Sequence, residues 1–199
     1  MSPRNEEQNE QIKDERREQL LSAALKVFAA KGFAAAKISD IASRAGLSHG
    51  LVYHYFSSKE QIFLALLERA LLTSAQSLLM VEQLPLSPVD KVRETAKYIL
   101  GGIENYADSA YYFLIVMHAS IMEGPGKKNG GILGKSLAAV ESMVRILTEG
   151  QRSGEIREGN PYEMAMTFFA AIQGLALYKI AYGDFKMPDP EILVNIVKK

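Results

Sequence analysis

The chain has 199 residues, 23 basic and 23 acidic side chains, and no cysteine. Its length allows one or two domains with a hydrophobic core, and the lack of cysteine excludes disulfides, thiolate catalysis and thiolate metal sites. No apolar run approaches the roughly 18 to 20 residues of a membrane span, and residues 1–7 contain no hydrophobic signal region. We therefore expect a cytoplasmic protein that does not enter a membrane.

The first predicted helix covers residues 12–31. Its inward face consists of apolar residues at helical spacing, namely Leu20, Leu21, Ala24, Leu25 and Phe28. Gly32 follows the predicted end, where helices commonly stop at glycine. Residues 1–11 are polar, and we expect them to form a disordered or frayed arm.

Two short helices joined by a turn are predicted between residues 37 and 59. The first has one apolar stripe at positions i, i+3, i+4 and i+7, formed by Ile38, Ile41, Ala42 and Ala45. Gly46 follows where a helix end favours positive φ, and Ser48 is suited to cap the second helix. Val52 and Phe56 of that helix point inward. The outward set is His49, Gly50, Leu51, Tyr53 and Tyr55. This arrangement is typical of a DNA-binding helix-turn-helix.

Basic charge collects in the same region. Residues 26–59 contain five basic residues and one acidic residue, a net charge of +4, whereas residues 60–199 contain 14 basic and 16 acidic residues. Local positive charge is the electrostatic signature of phosphate binding. A solvated lysine-rich surface would have a similar charge, so this observation supports DNA binding without establishing it.

Five stretches of the N-terminal third resemble a known family. They are Glu18–Phe28, Gly32–Phe33, Ile38–Ala42, Ala45–Ser48 and Val52–Glu60, and they align without a gap. Together they resemble the N-terminal domain of TetR-family transcriptional repressors. Beyond residue 70 the resemblance is limited to helix lengths and to the positions of Gly150, Gly154, Pro161 and Gly174.

The resemblance implies roles for individual residues on DNA. Base or sugar edges are assigned to Ser48, His49, Gly50 and Leu51, and the DNA backbone to Lys37, Tyr53, Tyr55 and Lys59. The hydroxyl of Ser39 is expected to approach the major groove. These residue types suit the roles, because glycine permits close approach and a phenol or an ammonium donates to phosphate. The alternative is that Tyr53 and Tyr55 pack against the first helix and that Ser48 is only a cap.

Helical periodicity continues to the end of the chain. Further helices are predicted over residues 59–81, 88–106, 109–122, 132–152, 161–182 and 192–197, with Ser57 to Glu60 as a capping box for the first of them and a glycine-rich loop at 123–131. No strand alternation is present. We therefore predict an all-α protein with an N-terminal arm (1–11), a helix-turn-helix domain (12–58) and a helical effector-binding and dimerisation domain (59–199).

The later helices contain bulky, partly polar residues suited to a small-molecule site. In proteins of the family that this chain resembles, these helices enclose such a site, and the corresponding candidates here are Tyr98, Tyr106, Tyr112, Phe113, Met117, His118, Met143, Phe168 and Gln173. Few of them are charged, which favours an apolar or amphipathic effector. The alternative is that this stripe of aromatic residues and methionines is ordinary core.

A homodimer is expected because one helix-turn-helix reads only a few base pairs. Two apolar stripes are candidates for its interface. The first is Leu137, Val140, Val144 and Leu147, and the second is Phe168, Ile172, Leu175 and Ala176. Both stripes would instead be internal core if the helices that carry them pack within one protomer.

Two patterns resemble enzyme motifs, but neither has the required spacing, so we expect neither catalysis nor a cofactor. Gly134-Lys135-Ser136 ends like a phosphate-binding loop, but the required upstream glycine is Asn129. Histidines occur at three positions without metal-site spacing. The favoured hypothesis is a repressor that binds double-stranded, palindromic operator DNA as a homodimer and is released by a small molecule. The alternatives are a DNA-binding regulator or architectural protein without an effector, and a helical protein that no longer binds DNA.

Overall fold

A computed structural model describes residues 3–106, 108–123 and 132–199 of the chain, with side chains for residues 8–106, 108–122 and 137–199. The described residues form these helices: α1 (Pro3–Ala35), α2 (Ile38–Ala45), α3 (His49–Tyr55), α4 (Lys59–Glu82), α5 (Pro88–Asn105), α6 (Ser109–Glu123), α7 (Ile132–Ser153), α8 (Pro161–Tyr182) and α9 (Pro190–Val194). Within the described ranges the only β pairing is an isolated bridge between Ile156 and Lys198. The all-α prediction is confirmed.

Helix α1 is longer than the sequence analysis predicted. It begins at Pro3 rather than at residue 12, so the structure has helix where a disordered or frayed arm was expected. The added residues include glutamate and glutamine, which are good helix formers, and a hydrogen bond from Gln11 to Glu15 (3.2 Å) supports one turn. Their side chains from residue 8 to residue 19 are exposed, so intrinsic propensity rather than burial accounts for this extension.

Two sequence predictions fall wholly or partly outside the described residues. Residues 124–131, the body of the predicted glycine-rich loop, are outside them. Residues 134–136, which the sequence analysis rejected as a phosphate-binding loop, belong to α7, of which only the backbone is described at these positions.

Helix α9 ends at Val194, three residues before the predicted end at residue 197.

The chain divides into two units at residues 68 and 69. Unit 1 contains α1, α2, α3 and the first part of α4, and unit 2 contains the remainder. The predicted boundary after residue 58 lies before α4, whereas the division observed in the structure lies within it. This placement follows from the burial of Ile62, Phe63 and Leu66, three apolar residues from the first turns of α4.

The core of unit 1 contains the residues that the sequence predicted to point inward. All eleven are buried: Leu20, Leu21, Ala24, Leu25, Phe28, Ile38, Ile41, Ala42, Ala45, Val52 and Phe56. Burial of a large aliphatic or aromatic side chain contributes about 1.5 to 3 kcal/mol. The packing of α1 on α2, and of α2 on α3, therefore contributes much of the stability of the helix-turn-helix.

The core of unit 2 overturns the predicted dimer interface. Leu147, Phe168, Ile172 and Ala176 are fully buried and belong to one core formed mainly by α5, α7 and α8. Val140 is 8% exposed, whereas Leu137 is 36% exposed. The two stripes face each other within one protomer, because α7 and α8 pack together there, so most of their surface is not available to a second copy.

Helices α4 and α8 are each long and apolar enough to cross a membrane by length and composition. The sequence expectation concerned an uninterrupted apolar run, which charged residues such as Glu68 and Arg69 in α4 and Lys179 in α8 prevent. Helices of soluble bundles pass the test of length and composition too, because apolar residues in them face other helices. Only 28% of the most apolar part of α8 is buried, so this helix has a second apolar face that the described residues leave exposed.

Candidate nucleic-acid interface

The start of α2 is held by one carboxylate. Asp40 Oδ2 accepts the backbone N–H of Lys37 (3.0 Å), and Asp40 Oδ1 lies 2.8 Å from the ammonium of Lys31. The hydrogen bond from Lys31, together with the Lys37 N–H, holds the pKa of the Asp40 carboxyl below its usual range. The first turn of α2 is thus fixed while the side chains of Lys37 and Ser39 remain exposed.

The turn after α2 depends on a glycine with positive φ. Gly46 has φ 65° and ψ 30°, and its N–H donates to the Ser43 carbonyl (3.2 Å). The N–H of Leu47 donates to the Ala42 carbonyl (3.0 Å). These two bonds form a Schellman motif, which ends a helix and turns the chain. A third bond, from the Gln19 side chain to the Ala45 carbonyl (2.7 Å), attaches the turn to α1.

Helix α3 begins with the predicted cap and presents a polar face. Ser48 Oγ accepts the N–H of Leu51 (3.2 Å), which leaves its hydroxyl hydrogen available to another acceptor. Among the residues after this cap, His49, Gly50, Tyr53 and His54 are exposed, and Leu51 and Tyr55 are half-buried.

Ring contacts order the exposed face of α3 and anchor its end. The rings of His49 and Tyr53 meet edge to face with centroids 5.1 Å apart. Tyr53 is 49% exposed, so it does not pack into the core as the alternative interpretation required. At the other end, the guanidinium of Arg17 lies 5.4 Å from the ring of Phe56 and joins α3 to α1.

The cap of α4 differs from the prediction by one residue. Ser58 Oγ, not that of Ser57, accepts the N–H of the third helical residue, Gln61 (3.3 Å). Gln61 Oε1 in turn accepts the N–H of Ser57 (2.7 Å). The predicted pairing of Ser57 with Glu60 was therefore wrong, because the helix begins one residue later than that pairing requires.

All of the predicted DNA-binding residues lie in unit 1, between Lys37 and Lys59. Those from Lys37 to Tyr55 are exposed or half-buried, as contact with DNA requires. Lys59 is different, because its ammonium donates to backbone carbonyls at the end of α1. Its assignment to phosphate stays a prediction that the structure does not favour.

A surface cleft adds basic residues that the sequence analysis did not assign to a role. It has a volume of about 470 Å³ and is lined by Gln19, Ser22, Ala23, Lys26, Arg44 and Ala45. Lys26 and Arg44 were counted in the local charge of +4, and that count was the only signal for them. They extend the basic surface of α2 toward α1.

The predicted effector-binding residues are spread between core and surface. Tyr98 and Tyr106 are 62% and 69% exposed, whereas Met143 and Phe168 are fully buried. The half-buried members are Tyr112, Phe113, Met117, His118 and Gln173. A second cleft, of about 310 Å³, is lined by other residues, among them Arg157, Asn160 and Ile196. None of the nine candidates lines this second cleft, so their grouping in an effector site stays a prediction.

Comparison with known proteins gives the family. Residues 20–66, which contain the capped helices and the glycine turn, match the model of the TetR family of bacterial regulatory proteins. Residues 20–66 are therefore a TetR-family DNA-binding domain. The match covers the helix-turn-helix and the start of α4 and does not extend into most of unit 2.

Curated relatives of the chain include an activator and a repressor, both of the helix-turn-helix type. The transcriptional activator FasR of Mycolicibacterium smegmatis is 48% identical over 65 residues, which are 33% of this chain and 30% of FasR. The transcriptional repressor NicS of Pseudomonas putida is 27% identical over 146 residues, 73% of this chain and 68% of NicS.

The fold likeness extends over almost the whole chain. The structure of a proposed fatty acid metabolism regulator from Clostridium perfringens is 26% identical, with a TM-score of 0.72, and the alignment covers 90% of this chain and 96% of that one. The all-α architecture of unit 2 is thus shared with a solved protein, although the sequence of unit 2 contains no motif distinctive of a family.

Glycines 46 and 50 provide a matched test of the turn. Gly46→Ala forces an L-residue into the left-handed region and should lower the free energy of unfolding by about 1 to 2 kcal/mol. Gly50 lies inside α3, and an added Cβ there meets nothing within 4 Å, so Gly50→Ala should not destabilise the protein. Urea unfolding measures both. Equal stability of the two variants would show that the turn does not need its glycine.

Proposed function

We propose that this protein is a transcriptional repressor that binds a palindromic operator as a homodimer and is released by a small apolar or amphipathic effector. The observation that carries the DNA-binding part is the exposed face of α3, which is capped, small at its front and followed by polar aromatic residues. The role implies a cytoplasmic location, where bacterial DNA lies.

The front of α3 supplies the groups that would read bases. A helix fits the major groove, where donors and acceptors on each base pair differ. The hydroxyl of Ser48, the ring of His49 and the apolar side chain of Leu51 offer three different contacts there. Gly50 has no side chain to hold the backbone away from the DNA.

The flanks of this face supply contacts to phosphate. Lys37 lies exposed before α2 and adds a charge, while the hydroxyls of Tyr53 and Tyr55 offer neutral donors near the end of α3. Ser39 lies beside Lys37 on α2. Phosphate contacts position a protein on the duplex without reading sequence, so the two sets of residues have separable effects.

Repression is favoured over activation by the extent of the likeness. The repressor NicS aligns with 73% of this chain, whereas the activator FasR aligns with 33%. The DNA-binding region does not by itself decide the direction of regulation, because both kinds of protein contain it.

Operator binding is tested with a duplex selected by the wild-type protein from a random pool. Tyr53→Phe removes one hydrogen bond to a charged phosphate, of about 1.5 to 3 kcal/mol, and should weaken selected and scrambled duplexes by the same factor, roughly 12- to 160-fold. His49→Ala should instead change which bases are selected. Tyr178→Phe is the matched control, because Tyr178 is also exposed (54%) but lies in unit 2. Equal binding by Tyr53→Phe and the control would contradict the docking.

The second face of α8 is the best candidate for the dimer interface. Tyr162 and Met166 are 50% and 42% exposed, and Ala170 and Ala181 are exposed on the same helix. Met166 and Ala170 are neighbours at i, i+4, and Ala181 lies three turns further along the same face, with the half-buried Gly174 and Leu177 between them. A second copy of α8 would cover this face and allow two recognition helices to engage a palindrome.

Dimerisation is tested by placing a charge on this face. Ala170→Glu should leave the protomer folded, since residue 170 is exposed there, but should give a monomer at micromolar concentration and lose high-affinity operator binding. Ser74→Glu adds the same side chain charge at an exposed position of α4 and should remain dimeric. Sedimentation velocity distinguishes these states. A monomeric wild-type protein would remove the proposal.

Apolar surface on α6, which the described residues leave exposed, supports effector binding. Met117 and His118 are half-buried, and Ile121 and Met122 are 71% and 58% exposed. Methionine adapts its shape to irregular apolar ligands. The solved Clostridium perfringens relative is described as a regulator of fatty acid metabolism, which makes fatty acids the first compounds to test.

Reciprocity provides the test of regulation. A hundredfold weakening of DNA binding requires about 2.7 kcal/mol of coupling, and DNA must then weaken effector binding by the same factor. Calorimetry with a series of straight-chain fatty acids, with and without the selected duplex, measures both factors. Met117→Glu should abolish the response and leave DNA binding unchanged, whereas Ile192→Glu on α9, where residue 192 is 58% exposed, should leave both the response and DNA binding unchanged. No response to any compound would favour the effector-free alternative.

A further inference from the structure

Lys59 occupies the end of α1 although it belongs to α4. Its Nζ lies 2.9 Å from the carbonyl oxygen of Phe33, 3.2 Å from that of Ala34 and 3.0 Å from that of Ala36. We propose that Lys59 is a positioning residue that closes the end of α1 and holds the start of α2, and that it is not a phosphate ligand. The inference rests on the proposed DNA-binding function.

The hydrogen-bonding capacity of the ammonium supports this assignment. A protonated lysine has three N–H donors and no acceptor, and three carbonyl oxygens lie within hydrogen-bonding distance of Nζ. All of its donors are therefore used within unit 1. A phosphate oxygen would have to displace at least one carbonyl, which would then lose its partner.

The end of α1 has a particular need for such a partner. The last carbonyls of a helix lack intrahelical N–H groups and form the negative end of the helix dipole. Gly32, with φ 72° and ψ 162°, interrupts the helical backbone just before the final turn, so that turn is short. A positive group with three donors satisfies both its hydrogen bonds and its charge.

An aromatic cluster holds Lys59 in this position. Nζ lies 4.7 Å from the ring centroid of Phe33, within the range of a cation–π interaction. Phe33 packs on Phe63 (4.9 Å) and on Phe28 (5.7 Å). Since Phe63 follows Lys59 by one helical turn, two side chains of α4 contact the end of α1.

The hydrogen bonds of Lys59 affect the DNA-binding surface through the backbone. Ala36, whose carbonyl accepts from Lys59, directly precedes Lys37, the residue that caps α2. Lys59 thereby orders the segment from which Lys37 and Ser39 project. Without Lys59, this segment would have to become ordered on binding. The free-energy cost of that ordering would reduce the affinity for DNA equally at every salt concentration.

Matched charge removal separates the two roles of a lysine. Lys37→Met and Lys59→Met both remove an ammonium and keep an apolar stem. Binding of the selected duplex is measured over a range of KCl concentrations, and thermal unfolding is measured without DNA. Lys37→Met should lower the salt slope by about 0.9 and leave the Tm unchanged. Lys59→Met should keep the wild-type slope, weaken binding by a constant factor and lower the Tm by about 2 to 4 °C.

Local hydrogen exchange distinguishes positioning from general stabilisation. In Lys59→Met, the amides of residues 36–41 should exchange faster while those of the unit 2 core are unchanged, and Lys59→Arg, which keeps the charge and several donors, should recover part of the protection. Uniformly faster exchange across both units, or none, would overturn the positioning role. A salt slope lowered by about 0.9 in Lys59→Met would show that Lys59 is a phosphate ligand.

A measurement on the wild-type protein remains decisive if Lys59→Met does not fold. With ¹⁵N-labelled lysine, the Nζ resonance of Lys59 should show slow proton exchange in the free protein and should not shift when the selected duplex is added. A shift accompanied by coupling to phosphorus would overturn the inference. If the wild-type protein selects no duplex, the proposed function fails, while proton exchange at Nζ in the free protein still tests the cap.

Discussion

The packing of α1 against two helices too short to be stable alone is the constraint on which the DNA-binding surface depends. Helices α2 and α3 have eight and seven residues, whereas isolated helices shorter than about 12 to 15 residues are marginal in water. Their buried stripes, together with the bond from Gln19 to the Ala45 carbonyl, keep them helical. The orientation of His49 and Tyr53 is therefore a property of the α1 core as much as of α3.

Charged groups in unit 1 are divided between internal and external tasks. Lys31 pairs with Asp40 (2.8 Å) and Lys59 binds three carbonyls, so two of the local positive charges stabilise backbone ends. Lys37 and Arg44 have exposed side chains. Net charge thus overstates how many ammonium and guanidinium groups are available to phosphate. A lysine therefore stabilises the fold where its ammonium reaches helix carbonyls, as in Lys59. Where its side chain is exposed, as in Lys37, it is available to phosphate.

Unit 2 shows how one helix can use two faces. Phe168 and Ile172 of α8 are fully buried among α5 and α7, yet Met166 and Ala170 on the same helix are exposed. An apolar helix with so little of its surface covered is expected to have another partner, because exposed apolar stripes mark interaction sites. In the described residues, this outer face is better suited to a second copy than the stripes predicted from the sequence.

The sequence by itself determined α2 and α3, the glycine turn after α2, the cap at Ser48 and the inward residues of the helix-turn-helix, because all of these follow from short-range periodicity and local backbone conformation. It also indicated the family, through motifs confined to residues 18–60. Only the tertiary structure decided where α7 and α8 place their apolar stripes, since a stripe at helical spacing looks the same whether it faces its own protomer or a partner. It likewise decided the position of Lys59, whose carbonyl partners lie more than twenty residues away along the chain and come within reach only when α1 and α4 pack together.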